Sequence, residues 1–308
     1  MTAPVTLSHR LEYYGIRGAA AALRRLSFRR AGDIGEWLGY LIYRPFGMRR
    51  AVVERQVRAA FPGLAEQEVL RIARESYGNL GRTSIETAVL PKYAPEKIVR
   101  LFDIIEGWEI VEQKLALGRG VIFVAGHLGN WELGGSYIAS RGLRMEAVAR
   151  RMQNPLFDAY LTDRRLSLGV HVIHDADAVR QVPRVLRAGG IAGFLFDQGA
   201  AGLASTWVPF FGRYAKTPRG PAVFALRLDT PIVFTCAVRE PDGWYSMKFE
   251  DITVERTGDR ERDVDAIVGA YTNALERWVR RYPEQYFWQH RRWKHQRPGT
   301  PPELGDPS

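Results

Sequence analysis

The stretch that decides the fold is Val121-Ile122-Phe123-Val124-Ala125-Gly126-His127-Leu128-Gly129-Asn130-Trp131-Glu132. Five apolar residues stop at a glycine. A single histidine stands near two glycines, and a carboxylate follows it five residues on. A short unbroken apolar run reads as a strand buried on both faces, the habit of parallel sheets. Asn130 suits the N-cap of a helix beginning at Trp131, and Gly126 and Gly129 give the intervening turn its backbone freedom. On one continuous helix, residues five apart stand about 140° from each other. His127 and Glu132 can therefore meet only if His127 lies on the turn and Glu132 in the first helical turn. That places the pair at the carboxyl end of a strand, where α/β sheets bind ligands.

Outward from this stretch the same alternation continues. Short β-branched runs at 101–105, 121–125, 145–149, 170–173, 191–196 and 232–238 predict strands. Helical spacing over 108–117, 131–140, 156–168, 179–187, 219–228 and 264–281 predicts the helices between and after them. This is an α/β pattern, a central sheet flanked by helices. Residues 10–90 read as helical with a break at Pro62-Gly63, and the final "RPGTPPELGDPS" reads as disordered. Phe210-Phe211-Gly212, between Pro209 and Pro218, reads as a loop whose rings can line an apolar groove or pack in the core.

The residue types in the opening stretch define a chemistry. A neutral imidazole takes a proton from a hydroxyl at neutral pH. A carboxylate on its other ring nitrogen fixes the tautomer and stabilises the imidazolium, and free N–H groups at a helix start support a developing oxyanion. With no Ser or Cys in the stretch, the deprotonated hydroxyl belongs to a substrate. The plainer alternative is a structural histidine hydrogen-bonded at a helix start. A metal site lacks ligands, because no second His or Cys stands at ligand spacing nearby.

The 308 residues are 46% hydrophobic, enough for a sizeable core, and carry a formal charge of +10, nearly all of the cations being Arg. Arg engages oxyanions through a planar fork, so the excess points to phosphate-bearing partners or to a solvated basic surface. The one cysteine, Cys236, lies in an apolar run; no disulfide within the chain is possible, which suits a reducing compartment. The opening "MTAPVTLSHR" lacks the pattern of a signal peptide. No run reaches the roughly 18 apolar residues of a spanning helix. The nearest, over 11–43, is broken by Arg17, Arg24, Arg25, Arg29 and Arg30. Arg beside Trp37, Tyr40, Tyr43 and Phe46 fits an in-plane interfacial helix or an amphipathic helix on the core. The tail interleaves Tyr286, Phe287, Trp288 and Trp293 with Arg291, Arg292, Lys294 and Arg297. That mixture fits a membrane interface or plain packing, and no nucleic-acid-binding module accompanies it.

"HLGNWE" resembles the local form of the His-x4-Asp/Glu motif of the bacterial lipid A biosynthesis acyltransferases, the late lauroyl/myristoyl transferase group within the wider glycerolipid and lysophospholipid acyltransferases. "FPGLAEQE" at 61–68, "RRMQNPLFDAYLTDRR" at 150–165, "DQGA" at 197–200, the segment 207–233 and "YPEQYFWQHRRWKHQRP" at 282–298 resemble further family segments in the same order. The resemblance implies His127 as catalytic base with Glu132 as its partner, Gly129 and Asn130 lining the acceptor pocket, and Arg150 and Gln198 near the bound acceptor. It implies transfer of an acyl chain from an acyl carrier protein thioester or acyl-CoA to a hydroxyl of a membrane glycolipid, foremost a lipid A precursor, without metal or other cofactor. A phosphatidylinositol mannoside or lysophospholipid acceptor, or an inactive membrane-binding protein, are the rivals. The implied place is the cytoplasmic face of the bacterial inner membrane, peripheral or monotopic, against an anionic surface and without nucleic acid. The expected organisation is a helical, membrane-associating region over 1–95, a glycerolipid acyltransferase-like α/β domain with a mixed sheet over 96–298, and a disordered tail over 299–308. Arg150, Arg151, Arg164 and Arg165 flank the predicted helix 156–168, where they can grip a phosphorylated headgroup or form a solvated face.

Overall fold

The computed structural model describes residues 5–199 and 202–307. The first four residues, Ala200 of the "DQGA" segment and the last residue of the tail lie outside that description. Helices α1 (Leu7–Leu23), α2 (Phe28–Tyr43), α3 (Arg50–Ala60), α4 (Glu66–Val89) and α5 (Pro95–Val99) come first. The alternating part follows as β1 (Phe102–Glu106), α6 (Trp108–Ala116), β2 (Val121–Ala125), α7 (Trp131–Ser140), β3 (Met145–Ala149), α8 (Pro155–Leu166), β4 (Val170–His174), α9 (Ala178–Arg187) and β5 (Ile191–Leu195). A hairpin, β6 (Ser205–Phe210) and β7 (Arg213–Pro218), precedes α10 (Gly220–Leu228), β8 (Ile232–Arg239), β9 (Tyr245–Ile252) and α11 (Arg260–Arg281).

The large sheet has the order β1-β9-β8-β2-β5-β3-β4, and every neighbouring pair is parallel except β8 with β9. It is a mixed, mainly parallel sheet with helices on both faces. The apolar run at 121–125 is its central strand. Ile122 and Val124 point into one core with α9, α10 and α11, while Val121 and Phe123 point into the other with α6 and α7. Burial on both faces is why the run shows no polar alternation.

The amino-terminal helices have no core of their own. Val53 and Val57 of α3 and Val69, Ile72 and Tyr77 of α4 share a cluster with Phe210, Tyr286 and Trp288. Helix α2 lies close along α4, because a Cβ at Gly39 would stand 2.0 Å from the Tyr77 carbonyl oxygen. Among the described residues no helix is long and apolar enough to cross a membrane.

Two expectations need correction. Residues 210–218 form no loop: Phe210 and Arg213 close the antiparallel β6–β7 pair, and Phe210 and Phe211 are both buried in the core. The tail is ordered through Pro307. It makes a 3₁₀ turn at Pro302–Leu304, Arg291 pairs with Asp306, and Arg213 Nη1 donates to the Gly305 carbonyl at 3.0 Å. Its Pro-rich composition hid these contacts, which come from distant parts of the chain. The aromatic carboxyl-terminal segment packs inward: Tyr286, Trp288 and Trp293 are buried. Strand β9 went unread, since its Lys248 sits buried at 2% exposure and pairs with Glu106 and Glu240, so the run lacks an apolar signature.

Candidate active site

The register of two parallel strands builds the site. Ala125 of β2 lies opposite Leu195 of β5, so His127 and Asp197, each two residues beyond, emerge side by side at the carboxyl edge of the sheet. His127 Nδ1 stands 2.6 Å from Asp197 Oδ1, and the His127 backbone N–H donates to Asp197 Oδ2 at 2.9 Å. One carboxylate thus fixes both the ring and the main chain of the histidine. With a carboxylate as acceptor, Nδ1 carries the proton and Nε2 is left with its lone pair.

Asp197 is 2% exposed, and burial alone raises a carboxyl pKa. The electrostatic attraction of His127, the hydrogen bonds from its ring and backbone N–H, and the Arg292 charge outweigh that and hold Asp197 at about 2. Arg292 is buried too, tied to the Lys216 carbonyl at 2.9 Å and Thr217 Oγ1 at 2.6 Å. His290 is within electrostatic reach of the pair. Burial lowers it, and the nearby cations add to that against the pull of Asp197, so it stays at about 4 and is uncharged at neutral pH. The His127 ring packs edge-on to Trp131 with centroids 4.8 Å apart and lies 5.9 Å from Phe287.

The expected pairing of His127 with Glu132 is therefore corrected. Glu132, in the first turn of α7, accepts from Arg165 of α8, with Nε 2.9 Å from Oε2 and a second bond through Nη2. The two-oxygen fork of Glu132 meets the planar fork of Arg165, which directs the carboxylate toward α8. Asp197 had already occupied Nδ1. The signal for Asp197 was present: an acid directly after an apolar run, 191–196, predicted to be a strand. Which strand would neighbour β2 was not legible from periodicity.

Gly129 and Asn130, expected to line the acceptor pocket, have polar groups engaged in the scaffold of the turn. The Asn130 side chain caps α7 by accepting from Leu133 N–H at 3.0 Å and donates to Glu86 Oε2 at 2.8 Å; its own N–H donates to the Ala237 carbonyl at 2.8 Å. The Gly129 N–H donates to the Gln285 carbonyl at 3.0 Å, and its carbonyl accepts from Thr83 Oγ1 at 3.1 Å. Gly129 has φ +65°, and a Cβ there would lie 1.9 Å from the Ala237 carbonyl oxygen. Left-handed strain and this collision act together, so Gly129→Ala should lower stability by about 3 kcal/mol or more. Thermal unfolding checks this, and an unchanged melting temperature would remove Gly129 from the scaffold that holds the turn. In the same turn, Trp131 and Glu132 have backbone N–H groups with no acceptor among the described residues. The first N–H groups of a helix lack intrahelical partners.

Beneath α7 lies an apolar pocket of about 820 Å³, its open mouth included. Phe123, Ala147, Gly193 and Ala237 of the sheet and Gly134 and Ile138 of α7 are in its wall, and Trp131, Glu132 and Arg165 are its polar-edged members. Small residues make the room. At Gly193 a Cβ would stand 2.4 Å from the Met145 methyl carbon. Arg150 is exposed, one residue past β3, with no ion-pair partner among the described residues, and Gln198 is half-buried beside Asp197. Among the described residues no three His, Cys, Asp or Glu side chains group as metal ligands.

The sequence profile of the bacterial lipid A biosynthesis acyltransferase family matches residues 6–295. The chain is 26% identical over 270 residues to the lipid A biosynthesis lauroyltransferase of Escherichia coli K12, covering 87% of this chain and 86% of the relative. It is 28% identical over 256 residues to the lipid A biosynthesis palmitoleoyltransferase of the same organism, covering 82% and 81%. It is also 26% identical over 231 residues to the phosphatidylinositol mannoside acyltransferase of Mycobacterium tuberculosis H37Rv, covering 73% and 71%. With a match over nearly its whole length, this chain belongs to the bacterial lipid A biosynthesis acyltransferase family and is an acyl-transferring enzyme.

Proposed function

We propose that the enzyme moves a fatty acyl chain from a thioester, on acyl carrier protein or CoA, to a hydroxyl of a membrane glycolipid, with a lipid A precursor as the first choice of acceptor. The observation that carries the mechanism is the His127–Asp197 pair, set on a turn whose Gly126, Leu128 and Trp131 line an apolar pocket. His127 Nε2 takes the proton of the acceptor hydroxyl, and its oxygen attacks the thioester carbonyl. The new C–O bond forms as the C–S bond breaks, and the imidazolium returns its proton to the leaving thiolate. Asp197 keeps Nε2 free and stabilises the imidazolium. The N–H groups of Trp131 and Glu132, without acceptors among the described residues, are the donors of the turn that can serve the oxyanion. The acyl chain fills the pocket under α7.

Glu132 and Arg165 then act at the pocket edge, where they orient the substrates. Arg150 and Gln198 remain the candidates for acceptor contact. The exposed Leu11 of α1, Trp37 of α2, and Phe46 and Met48 between α2 and α3, with their Arg neighbours, support a peripheral seat on an anionic membrane, the cytoplasmic face of the inner membrane being the place of its donors.

The test is a transfer assay with purified protein and an acyl-carrier-protein thioester, offering a lipid A precursor and a phosphatidylinositol mannoside in parallel. The expected product is the lipid A precursor heavier by one acyl group, read by mass spectrometry. Acylation of the mannoside alone would replace the first acceptor with the second. Acylation of neither, with the thioester and CoA donors both tried, would overturn the reading.

A further inference from the structure

A second cavity lies between α1 and α8. Its volume is about 900 Å³ with its open mouth, and its walls include Tyr13 and Arg17 of α1, Arg24 just past the end of α1, and Tyr160, Asp163 and Arg164 of α8. Three guanidiniums face one carboxylate there. Asp163 is answered by Arg164 in an ion pair. Arg17 and Arg24 have no carboxylate partner among the described residues; Arg17 touches only Tyr13, donating to its hydroxyl at 3.0 Å with its guanidinium 5.4 Å from the ring centre. Arg164 Nε is buried and lacks an acceptor.

The sequence makes this a rail. Arg10, Arg17 and Arg24 recur at seven-residue steps, which drift only about 20° per step on an α-helix. Leu7, Leu11 and Tyr14 form a second stripe roughly 80° around the same helix. Those three are 73%, 67% and 63% exposed. One face of α1 is thus apolar and uncovered, and the adjoining face is cationic, with Arg17 and Arg24 lining the cavity.

The rail is held at a fixed place. Asn154, which caps α8, donates to the His9 carbonyl at 3.0 Å and to Glu12 Oε2 at 2.8 Å, and Tyr13 packs edge-on to Tyr160 with centroids 6.2 Å apart. Helix α8 also joins the cavity to the site, since Arg164 lines the one and the next residue, Arg165, holds Glu132 of the other.

We propose that the α1–α8 groove is a headgroup subsite for a phosphomonoester-bearing membrane lipid, entered as the Leu7–Leu11–Tyr14 stripe beds into the acyl boundary. A phosphomonoester presents three terminal oxygens and up to two charges, which several planar guanidiniums can share; a phosphodiester offers two oxygens and one charge. The proposal rests on the glycolipid reading for the acceptor's identity, but binding is measured without turnover, so the two fail separately.

The experiment is sedimentation of the full-length protein with phosphatidylcholine vesicles, alone or carrying phosphatidic acid or phosphatidylglycerol. The wild type should bind phosphatidic acid vesicles best. Arg17→Gln/Arg24→Gln should weaken that binding about tenfold or more, the scale of one or two charge-assisted bonds. Arg17→Lys/Arg24→Lys keeps charge and fold and should lose the preference for phosphatidic acid over phosphatidylglycerol. Arg184→Gln/Arg187→Gln on α9, exposed and of equal charge loss, should bind like wild type apart from general screening. Equal weakening by the α9 pair would make this a diffuse charge effect and overturn the subsite, as would unchanged binding by the Arg17/Arg24 variant. Full release by free inorganic phosphate at matched ionic strength would overturn the lipid as occupant. Binding intact in a protein without transferase activity would leave the subsite standing and sink the enzymatic reading instead.

Discussion

His127→Ala leaves a folded protein whose acyl transfer falls by about 10²-fold or more, the scale of a lost general base. The fold tolerates the change because the backbone bonds of the turn do not depend on the ring. The His127 N–H keeps Asp197 Oδ2, its carbonyl keeps the Phe287 N–H at 3.0 Å, and Asn130 still caps α7. What disappears is the one side chain at the strand edge that can accept a hydroxyl proton with its other nitrogen held. Binding of acyl thioester should persist, since the proposed seat of the chain is the apolar pocket, whose lining does not include His127. Turnover near normal in the folded variant would remove His127 from the reaction.

Asp197→Asn lowers kcat by about 10²-fold or more with little change in acceptor KM, because an amide neither enforces the Nδ1–H tautomer nor neutralises the imidazolium that forms during transfer. The same substitution has a second readout in stability. The Asp197 carboxyl is held at about 2 against an ordinary 3.8. A carboxyl lowered by folding stabilises the protein fully above its unfolded value, and that contribution is lost as pH falls through its folded value. Wild type should thus lose stability between pH 3.8 and about 2 in excess of Asp197→Asn. Parallel acid-unfolding curves would show the buried carboxylate to be uncoupled from the fold.

Much of the scaffold was legible. The limits of β2, β3 and α7 coincide with the short strand-like runs and the Asn130 cap, since β2 is buried on both faces and the cap is local in sequence. His127 stood out for the same reason, as an ionisable group directly after a buried strand. Its partner did not. Asp197 meets His127 through strand order, and a partner 70 residues away cannot be found by counting along a helix. The nearer acid, Glu132, looked sufficient until α8 supplied Arg165. Gly129 and Asn130 were legible as turn and cap, and the structure shows both roles. The hairpin β6–β7 and strand β9 were obscured by Pro209, Pro218 and the buried Lys248, whose tolerance depends on neighbours remote in sequence.

The central claim is that Asp197, not Glu132, holds the base. NMR of the His127 ring N–H tests it most directly, comparing wild type with Asp197→Asn and Glu132→Gln. The account predicts a strongly downfield Nδ1-bound proton in wild type, kept in Glu132→Gln and lost or moved upfield in Asp197→Asn. A signal that survives in Asp197→Asn and disappears in Glu132→Gln would contradict it.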